Sequence, residues 1–371
     1  MAKPKVFVTR LIPEEGLALV RNFCEADIWP ENLPPARQVI LDRVKGVDGI
    51  LSLLTDKMDG EVMAAAGPGL KVISNYAVGF DNVVVPEATR RGIPVGNTPG
   101  VLTDTTADFA FTLLMAAARR VVEADKFTRA GKWQTWGPTL LLGNDISGAT
   151  LGIIGFGRIG KGMAKRAQGF EMRVLYYDPE CRDDPYAAQV GATCVSLETL
   201  LRESDFVSIH TPLTEATTHL INAQTLAQMK PTAVLINTAR GPVVDTGALY
   251  QALRDGIIGY AALDVTEPEP IQVDNPLLAL DNVIIVPHIA SASVATRGKM
   301  ARMAAENLIA GLKAACRPAW SQALLQPSPD PGAWPSASAP VWQTGRGAYS
   351  GPRPRYPDYP LHPAGRRLPG R

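Results

Sequence analysis

The stretch from Leu151 to Asp178 reads LGIIGFGRIGKGMAKRAQGFEMRVLYYD, and it decides the fold. It begins with a short apolar run that predicts a buried parallel strand. Three glycines in the spacing G-x-G-x-x-G come next, followed by a helical stretch, a second strand and a terminal aspartate. Because strand, glycine turn, helix and strand occur in this order, the stretch predicts a βαβ unit that binds a dinucleotide.

Each glycine has its own role in such a unit. Gly155 allows the tight turn from strand to helix, Gly157 lets the backbone approach a pyrophosphate, and Gly160 lets the helix pack closely on the strand. The N-terminus of the helix offers free N–H groups to phosphate. Asp178 ends the second strand, where its carboxylate is expected to accept hydrogen bonds from the adenosine ribose hydroxyls.

Composition and charge narrow the class of protein. The 371 residues are enough for two domains, and a hydrophobic fraction of 46% with a charged fraction of 20% is typical of globular proteins. A net charge of +1 predicts neither a nucleic-acid nor a membrane partner. The chain has no N-terminal signal pattern and no apolar run of transmembrane length, so we expect a cytoplasmic protein. The cysteines lack metal-ligand spacing, which predicts separate thiols and no metal site.

Alternating strand-like and helix-like segments predict an α/β protein with two doubly wound parallel-sheet domains, Rossmann-like or flavodoxin-like, and an active site in the cleft between them. Residues 1–99 plus 287–313 are expected to form a discontinuous substrate-binding domain, and residues 100–286 the dinucleotide-binding domain. The predicted strands are 6–9, 26–29, 49–53, 71–75, 94–96, 151–154, 173–177, 205–210, 233–237, 259–265 and 283–286. The predicted helices are 13–22, 35–44, 60–66, 85–91, 103–120, 159–170, 196–202, 223–229, 245–255 and 293–313.

Two segments outside this regular pattern have distinct compositions. Residues 126–143 are loop-rich and contain Trp133 and Trp136, which are typical of packing or subunit-interface residues. Residues 314–371 contain 12 prolines, seven arginines and two aspartates, and proline at this density predicts a disordered tail. The tail is either a lineage-specific extension or a read-through in a shifted frame, and its PxxP spacings would suit a polyproline-binding module.

Three polar clusters are predicted at the carboxyl ends of strands in the second domain, where open α/β sheets bind ligands. The clusters are residues 237–241, 263–270 and 286–291. Arg240 suits a forked grip on a carboxylate or carbonyl oxygen. His288 suits a proton donor at neutral pH, and a neighbouring acid such as Glu269 would keep it protonated. Taken singly, each residue has another interpretation. His288 would be a buried core histidine, Glu269 a helix-cap acid and Arg240 a member of a surface ion pair. Together, beside a dinucleotide loop, they favour hydride transfer to a ketone.

The chain resembles the D-isomer-specific 2-hydroxyacid dehydrogenases over roughly residues 3–313. The motifs that carry the resemblance are AVGFDN (77–82), NTPGVLTDTTAD (97–108), GFGRIG (155–160), HTPLT (210–214), NTARG (237–241), LDVTEPEP (263–270) and PHIAS (287–291). The resemblance implies that Arg240, Glu269 and His288 form a catalytic triad, and that Arg240 with the backbone of Val78 and Gly79 binds the substrate carboxylate. The cofactor contacts that it implies are Thr105, Gly155, Gly157, Arg158, Ile159, Gly160, Asp178, Pro212, Thr238 and Asp264, the last of which would hold the nicotinamide carboxamide.

Within the family, LLTDKMD (53–59), the two tryptophans and DVTEPEP are most similar to glyoxylate/hydroxypyruvate reductases. This resemblance implies a homodimer, formed through the 103–140 region, that reduces glyoxylate to glycolate and hydroxypyruvate to D-glycerate. Asp178 favours NAD(H), although NADP(H) is possible because Arg182 lies nearby in the sequence. Two alternatives stay open: a reductase of 2-ketogluconate or phenylpyruvate type, and an NADH-sensing, corepressor-like binding protein.

Overall fold

Two parallel β-sheets form the framework of the protein in a computed structural model, which describes residues 2–179 and 184–314. The strands are β1 (Lys5–Val8), β2 (Glu25–Ile28), β3 (Gly49–Ser52), β4 (Val72–Asn75), β5 (Val95–Gly96), β6 (Thr150–Ile154), β7 (Arg173–Tyr177), β8 (Ala192–Cys194), β9 (Phe206–Ile209), β10 (Val234–Asn237), β11 (Tyr260–Leu263) and β12 (Val283–Ile285). The helices are α1 (Glu14–Phe23), α2 (Arg37–Arg43), α3 (Gly60–Ala66), α4 (Val85–Arg90), α5 (Thr103–Ala118), α6 (Val121–Arg129), α7 (Arg158–Ala167), α8 (Pro185–Val190), α9 (Leu197–Glu203), α10 (Ala223–Leu226), α11 (Thr246–Arg254) and α12 (Val294–Ala314).

The strand orders are those of doubly wound folds. The first sheet runs β2-β1-β3-β4-β5, and the second runs β12-β11-β10-β9-β6-β7-β8. Neighbouring strands pair in parallel throughout both sheets. The strands β3, β4, β9, β10 and β11 are buried along their whole length because helices cover both faces. The predicted fold class is confirmed.

Two long helices attach to different sheets. The helix α5 packs against α7, β10 and β11 of the second sheet. The last helix, α12, returns to the first sheet and packs against α1, β3 and β4. The hydroxyl of Ser74 on β4 donates to the carbonyl oxygen of Ala304 at 2.8 Å, and Gly16 on α1 lies so close to Ala301 that a Cβ atom there would overlap its backbone. The end of the described chain is therefore anchored beside its beginning.

The structure corrects the sequence interpretation in three places. The helix α6 occupies the start of the segment that was expected to be loop, and α8 and β8 were not predicted at all. Cys194, at the end of β8, is disulfide-bonded, so the expectation of separate thiols is wrong for this residue. The spacing of cysteines along the sequence does not show which of them lie close together in the fold. The disulfide bond could therefore not be predicted from that spacing. Cys24 is a buried free thiol, as expected.

Among the described helices, none is long and apolar enough to cross a bilayer. From position 315 onward, the proline-rich segment lies outside the described residues. Arg182 also lies outside them, in the gap at 180–183.

Candidate active site

The predicted site residues follow the carboxyl ends of strands in both sheets. The loop after β4 carries Val78 and Gly79, and the loop after β10 carries Arg240. Glu269 and His288 follow β11 and β12. Because parallel strands end at the same edge of a sheet, the loops after β10, β11 and β12 lie side by side. The backbone N–H of Asp264 donates to the carbonyl oxygen of Asn237 at 2.9 Å, which ties the first two of these loops together.

The segment 77–82, which we call the carboxylate loop, is held by side-chain amides. Asn75 donates to the carbonyl oxygen of Gly79 at 3.0 Å, and Asn97 donates to that of Val78 at 2.9 Å. The N–H of Thr98 donates to the carbonyl oxygen of Ala77 at 2.8 Å. Within the described part of the chain, the N–H groups of Val78 and Gly79 have no acceptor. Two free N–H groups on a braced loop suit an anion such as a carboxylate.

Arg240 extends from the second sheet to this loop. Its Nε donates to Oδ1 of Asp81 at 2.9 Å and its Nη1 to the carbonyl oxygen of Ala239 at 2.8 Å. Its Nη2 lies against Gly79, so closely that a Cβ atom on Gly79 would overlap it. The Asn237 side chain fixes the turn by accepting from the N–H of Ala239 and donating to the carbonyl oxygen of Arg240. The arrangement places a guanidinium next to the free N–H groups.

His288 and Glu269 form a close pair. The distance from Nδ1 of His288 to Oε1 of Glu269 is 2.6 Å. With Glu269 ionised, Nδ1 carries a hydrogen and donates it, which leaves Nε2 as the nitrogen available for proton transfer. His288 has a left-handed backbone with φ of 53°, a conformation that is uncommon for a residue other than glycine. Such strain is typical of functional positions held by their surroundings.

Asp264 provides those surroundings. Its carboxylate oxygens accept from the backbone N–H groups of Ile289 at 2.6 Å and Ala290 at 2.9 Å, and its carbonyl oxygen accepts from the N–H of His288 at 2.9 Å. Burial raises the pKa of the Asp264 carboxyl group, and the two N–H donors act in the opposite direction. Asp264 therefore holds the backbone of residues 288–290, a role that the sequence did not indicate. A carboxylate has lone pairs left for a further donor such as an amide.

The glycine turn after β6 fits a pyrophosphate. Gly155 has φ of 92°, and a Cβ atom there would lie 2.8 Å from the carbonyl carbon of His210. A Cβ on Gly160 would overlap the carbonyl oxygen of Gly155, so helix and turn touch. At Gly157, by contrast, a Cβ atom would have no neighbour within 4 Å among the described residues. Open space in front of the N-terminus of α7 is what a dinucleotide phosphate requires.

The remaining predicted cofactor residues differ in their local contacts. Oδ2 of Asp178 accepts from the N–H of Phe156 at 3.0 Å, so its carboxylate points to the glycine turn. The hydroxyl of Thr238 is buried and has no hydrogen-bond partner among the described residues, as expected for a group that contacts a ligand. The hydroxyl of Thr105 lies 2.6 Å from that of Thr296 on α12. The other three differ in exposure: Arg158 and Pro212 are exposed and Ile159 is half-buried. The donor set and the open turn fit a nicotinamide dinucleotide.

Two polar residues of the site were missed in the sequence. Asp81 lies within the motif AVGFDN, but its partner Arg240 is 159 residues away in the chain. His210 follows β9, and its Nε2 is 2.8 Å from the hydroxyl of Ser208. Its Nδ1 is buried without a partner among the described residues, and burial lowers the pKa of His210 to about 3. No group of His, Cys, Asp and Glu in the described residues is arranged to hold a metal ion.

Known proteins are similar to this chain in sequence and in fold. The family profile of the D-isomer specific 2-hydroxyacid dehydrogenase NAD binding domain matches residues 111–290. A glyoxylate reductase of Korarchaeum cryptofilum is 58% identical over 309 residues, which cover 83% of this chain and 92% of that protein. A Thermus thermophilus protein of known structure has a TM-score of 0.78 at 47% identity, covering 84% of this chain and 97% of that chain. An NADPH-dependent glyoxylate/hydroxypyruvate reductase from Sinorhizobium meliloti, solved with NADP and malonate, has a TM-score of 0.73 at 34% identity and covers 83% of this chain and 93% of that chain.

Proposed function

The chain belongs to the family of D-isomer-specific 2-hydroxyacid dehydrogenases, which are oxidoreductases, and from this premise we propose that it is a glyoxylate reductase that also reduces hydroxypyruvate. The observation that carries the proposal is the close contact between the guanidinium of Arg240 and Gly79. The neighbouring loops hold the His288–Glu269 pair. A cation beside free N–H groups suits the carboxylate of a 2-keto acid, and a histidine paired with a carboxylate suits a proton donor.

The chain's own residues have separate tasks in this reaction. The N–H groups of Val78 and Gly79 and the guanidinium of Arg240 bind the substrate carboxylate and orient its carbonyl group. The nicotinamide, when bound, supplies the hydride that is added to C2. As charge develops on the carbonyl oxygen, His288 donates a proton from Nε2, and Glu269 stabilises the histidine in its protonated form. Glyoxylate thereby gives glycolate, and hydroxypyruvate gives D-glycerate.

Family membership supports a nicotinamide dinucleotide on the turn of Gly155, Gly157 and Gly160. We propose that NADH is preferred, because the carboxylate of Asp178 beside this turn would repel the 2′-phosphate of NADPH. The Sinorhizobium meliloti relative is described as NADPH-dependent, so NADPH is the matched comparison in any assay.

We also propose a division into domains, an oligomeric state and a cellular location. Residues 1–99 plus 287–313 would bind the substrate, supported by the packing of α12 on the first sheet, and residues 100–286 would bind the cofactor. A homodimer through the 103–140 region would cover Trp133 and Trp136, which are 60% and 78% exposed in the single chain. A cytoplasmic location remains part of the proposal.

The test is the oxidation of NADH, and separately of NADPH, by the purified full-length protein. Glyoxylate, hydroxypyruvate, 2-ketogluconate and phenylpyruvate serve as separate substrates. We expect turnover of the two small acids, with NADH as the better cofactor. Turnover of only a bulky keto acid would contradict the substrate and leave another reductase of the family. Tight NADH binding without any turnover would overturn the proposed activity and favour an NADH-sensing binding protein.

A further inference from the structure

Asp81 and Arg240 connect the two sheets at the site. Asp81 belongs to the carboxylate loop after β4, whereas Arg240 follows β10 of the second sheet. Their hydrogen bond, 2.9 Å from Nε to Oδ1, uses the one guanidinium nitrogen that carries a single hydrogen. Nη1 donates to the carbonyl oxygen of Ala239, so Nη2 is the nitrogen that faces Gly79. Two of the three nitrogens are thus occupied by protein acceptors, and the third points to the proposed carboxylate site.

Asp81 is presented from a rigid support. Its neighbour Asn82 donates to the carbonyl oxygens of Leu53 and Asp56, both at 3.0 Å. Asn82 also accepts from Asn75 at 3.0 Å, and Asn75 in turn donates to the carbonyl oxygen of Gly79. These amides fix the backbone on both sides of Asp81. The carboxylate of Asp81 is therefore held where it can set the orientation of a flexible arginine side chain.

We propose that Asp81 is a positioning residue for substrate binding, which holds the guanidinium of Arg240 so that Nη2 acts together with the N–H groups of Val78 and Gly79. This inference rests on the proposed function, because it concerns the grip on the 2-keto acid carboxylate. An arginine side chain has many rotamers, and fixing one of them before the substrate arrives lowers the entropic cost of binding. In this role Asp81 acts on the substrate through Arg240.

Two substitutions of Asp81 distinguish the effect of its hydrogen bond to Arg240 from the effect of its charge. Asn in place of Asp81 keeps an oxygen that accepts from Nε, whereas Ala removes it. If orientation is the role, Asp81→Asn retains most of the substrate affinity and Asp81→Ala loses it. Asp27→Ala is a matched control, because Asp27 pairs with Arg43 at 2.6 Å and is 44% exposed, close to the 40% exposure of Asp81.

The experiment measures two quantities in each full-length variant: the KM for glyoxylate and the Kd of oxalate for the NADH complex, followed by NADH fluorescence. For Asp81→Ala we expect both to rise by about 10- to 100-fold, with an unchanged Kd for NADH, since a misplaced binding group costs rates and affinities of this order. Asp81→Asn and Asp27→Ala should resemble the wild type.

Three results would overturn the inference. They are oxalate binding by Asp81→Ala with wild-type affinity, an equal loss in Asp81→Asn and Asp81→Ala, and no binding of oxalate by the wild type. Failure of the proposed function has a different signature, namely a wild type that binds oxalate but does not reduce glyoxylate. In that case the ratio of the oxalate Kd values still decides the role of Asp81.

Discussion

Nδ1 of His288 lies 2.6 Å from Oε1 of Glu269, although the two residues are 19 positions apart and follow different strands. The contact orients the imidazole ring and directs Nε2 away from the acid. His288 holds this position with a left-handed backbone, and Asp264 fixes the loop on which it stands. The pair is therefore built by two neighbouring loops of the second sheet, those that follow β11 and β12.

Glu269→Gln tests this relationship. Glutamine can still accept from Nδ1, but it has no charge to stabilise the protonated ring. We expect kcat for glyoxylate reduction to fall by about 10- to 100-fold, because general acid catalysis contributes at least this much. The Kd of NADH, measured by fluorescence, should stay unchanged. A variant with wild-type kcat would show that the carboxylate is dispensable.

Gly79→Ala tests the contact between the carboxylate loop and Arg240. The new Cβ would overlap Nη2 of Arg240, so the guanidinium must move away from the proposed carboxylate site. We expect the KM for glyoxylate to rise by about 10- to 100-fold, as for other small misplacements of a binding group. Gly69→Ala is the control, because a Cβ at Gly69 would meet no atom within 4 Å of the described structure. Equal KM values in both variants would contradict the assignment of the loop.

The glycine turn makes a prediction that separates folding from cofactor binding. A Cβ at Gly157 fits the protein itself, so Gly157→Ala should keep its melting temperature and yet bind NADH more weakly. A Cβ at Gly155 meets the backbone of His210 and the residue has a positive φ, so Gly155→Ala should lower the melting temperature. Differential scanning fluorimetry and NADH titration measure the two effects. Undiminished NADH affinity in Gly157→Ala would contradict the placement of the pyrophosphate.

Because of His210, we expect the folded protein to lose stability in mild acid. Its pKa is lowered by burial from 6.5 to about 3 in the folded protein, so below pH 6.5 the unfolded chain binds a proton that the folded chain does not. This contribution is absent above pH 6.5 and destabilises the fold progressively down to about pH 3, reaching about 2 kcal/mol near pH 5. Urea unfolding at neutral and at mildly acidic pH should show a smaller decrease for His210→Gln than for the wild type. Equal decreases would contradict a His210 side chain that stays neutral in the folded protein.

Most of the fold was predictable because its strands are short apolar runs between turn residues. The helix Gly60–Ala66 has the predicted ends, and β10 and β12 each lie within one residue of the predicted range. The elements that were missed carry weak signals. The edge strand β8 has three residues that are at most half-buried, and α6 has no buried residue, so neither shows a clear hydrophobic period.

The candidate site was also predictable only in part. The motifs indicated which backbone and side-chain groups would line it, and the structure brings Arg240 to Gly79 and Glu269 to His288. Asp81 was visible in its motif, but no local pattern links it to an arginine 159 residues away. The role of Asp264 in holding Ile289 and Ala290 likewise depends on strand order, because β11 and β12 must first become neighbours.

The most direct test of the central claim is the kcat for NADH-dependent reduction of glyoxylate by the wild type and by His288→Asn. We predict that the wild type turns over glyoxylate and that the variant is slower by about 100- to 10,000-fold, the range that a positioned proton donor contributes. The Kd of NADH should be the same in both proteins. Wild-type kcat in His288→Asn would contradict the account, because the proton must then come from another group.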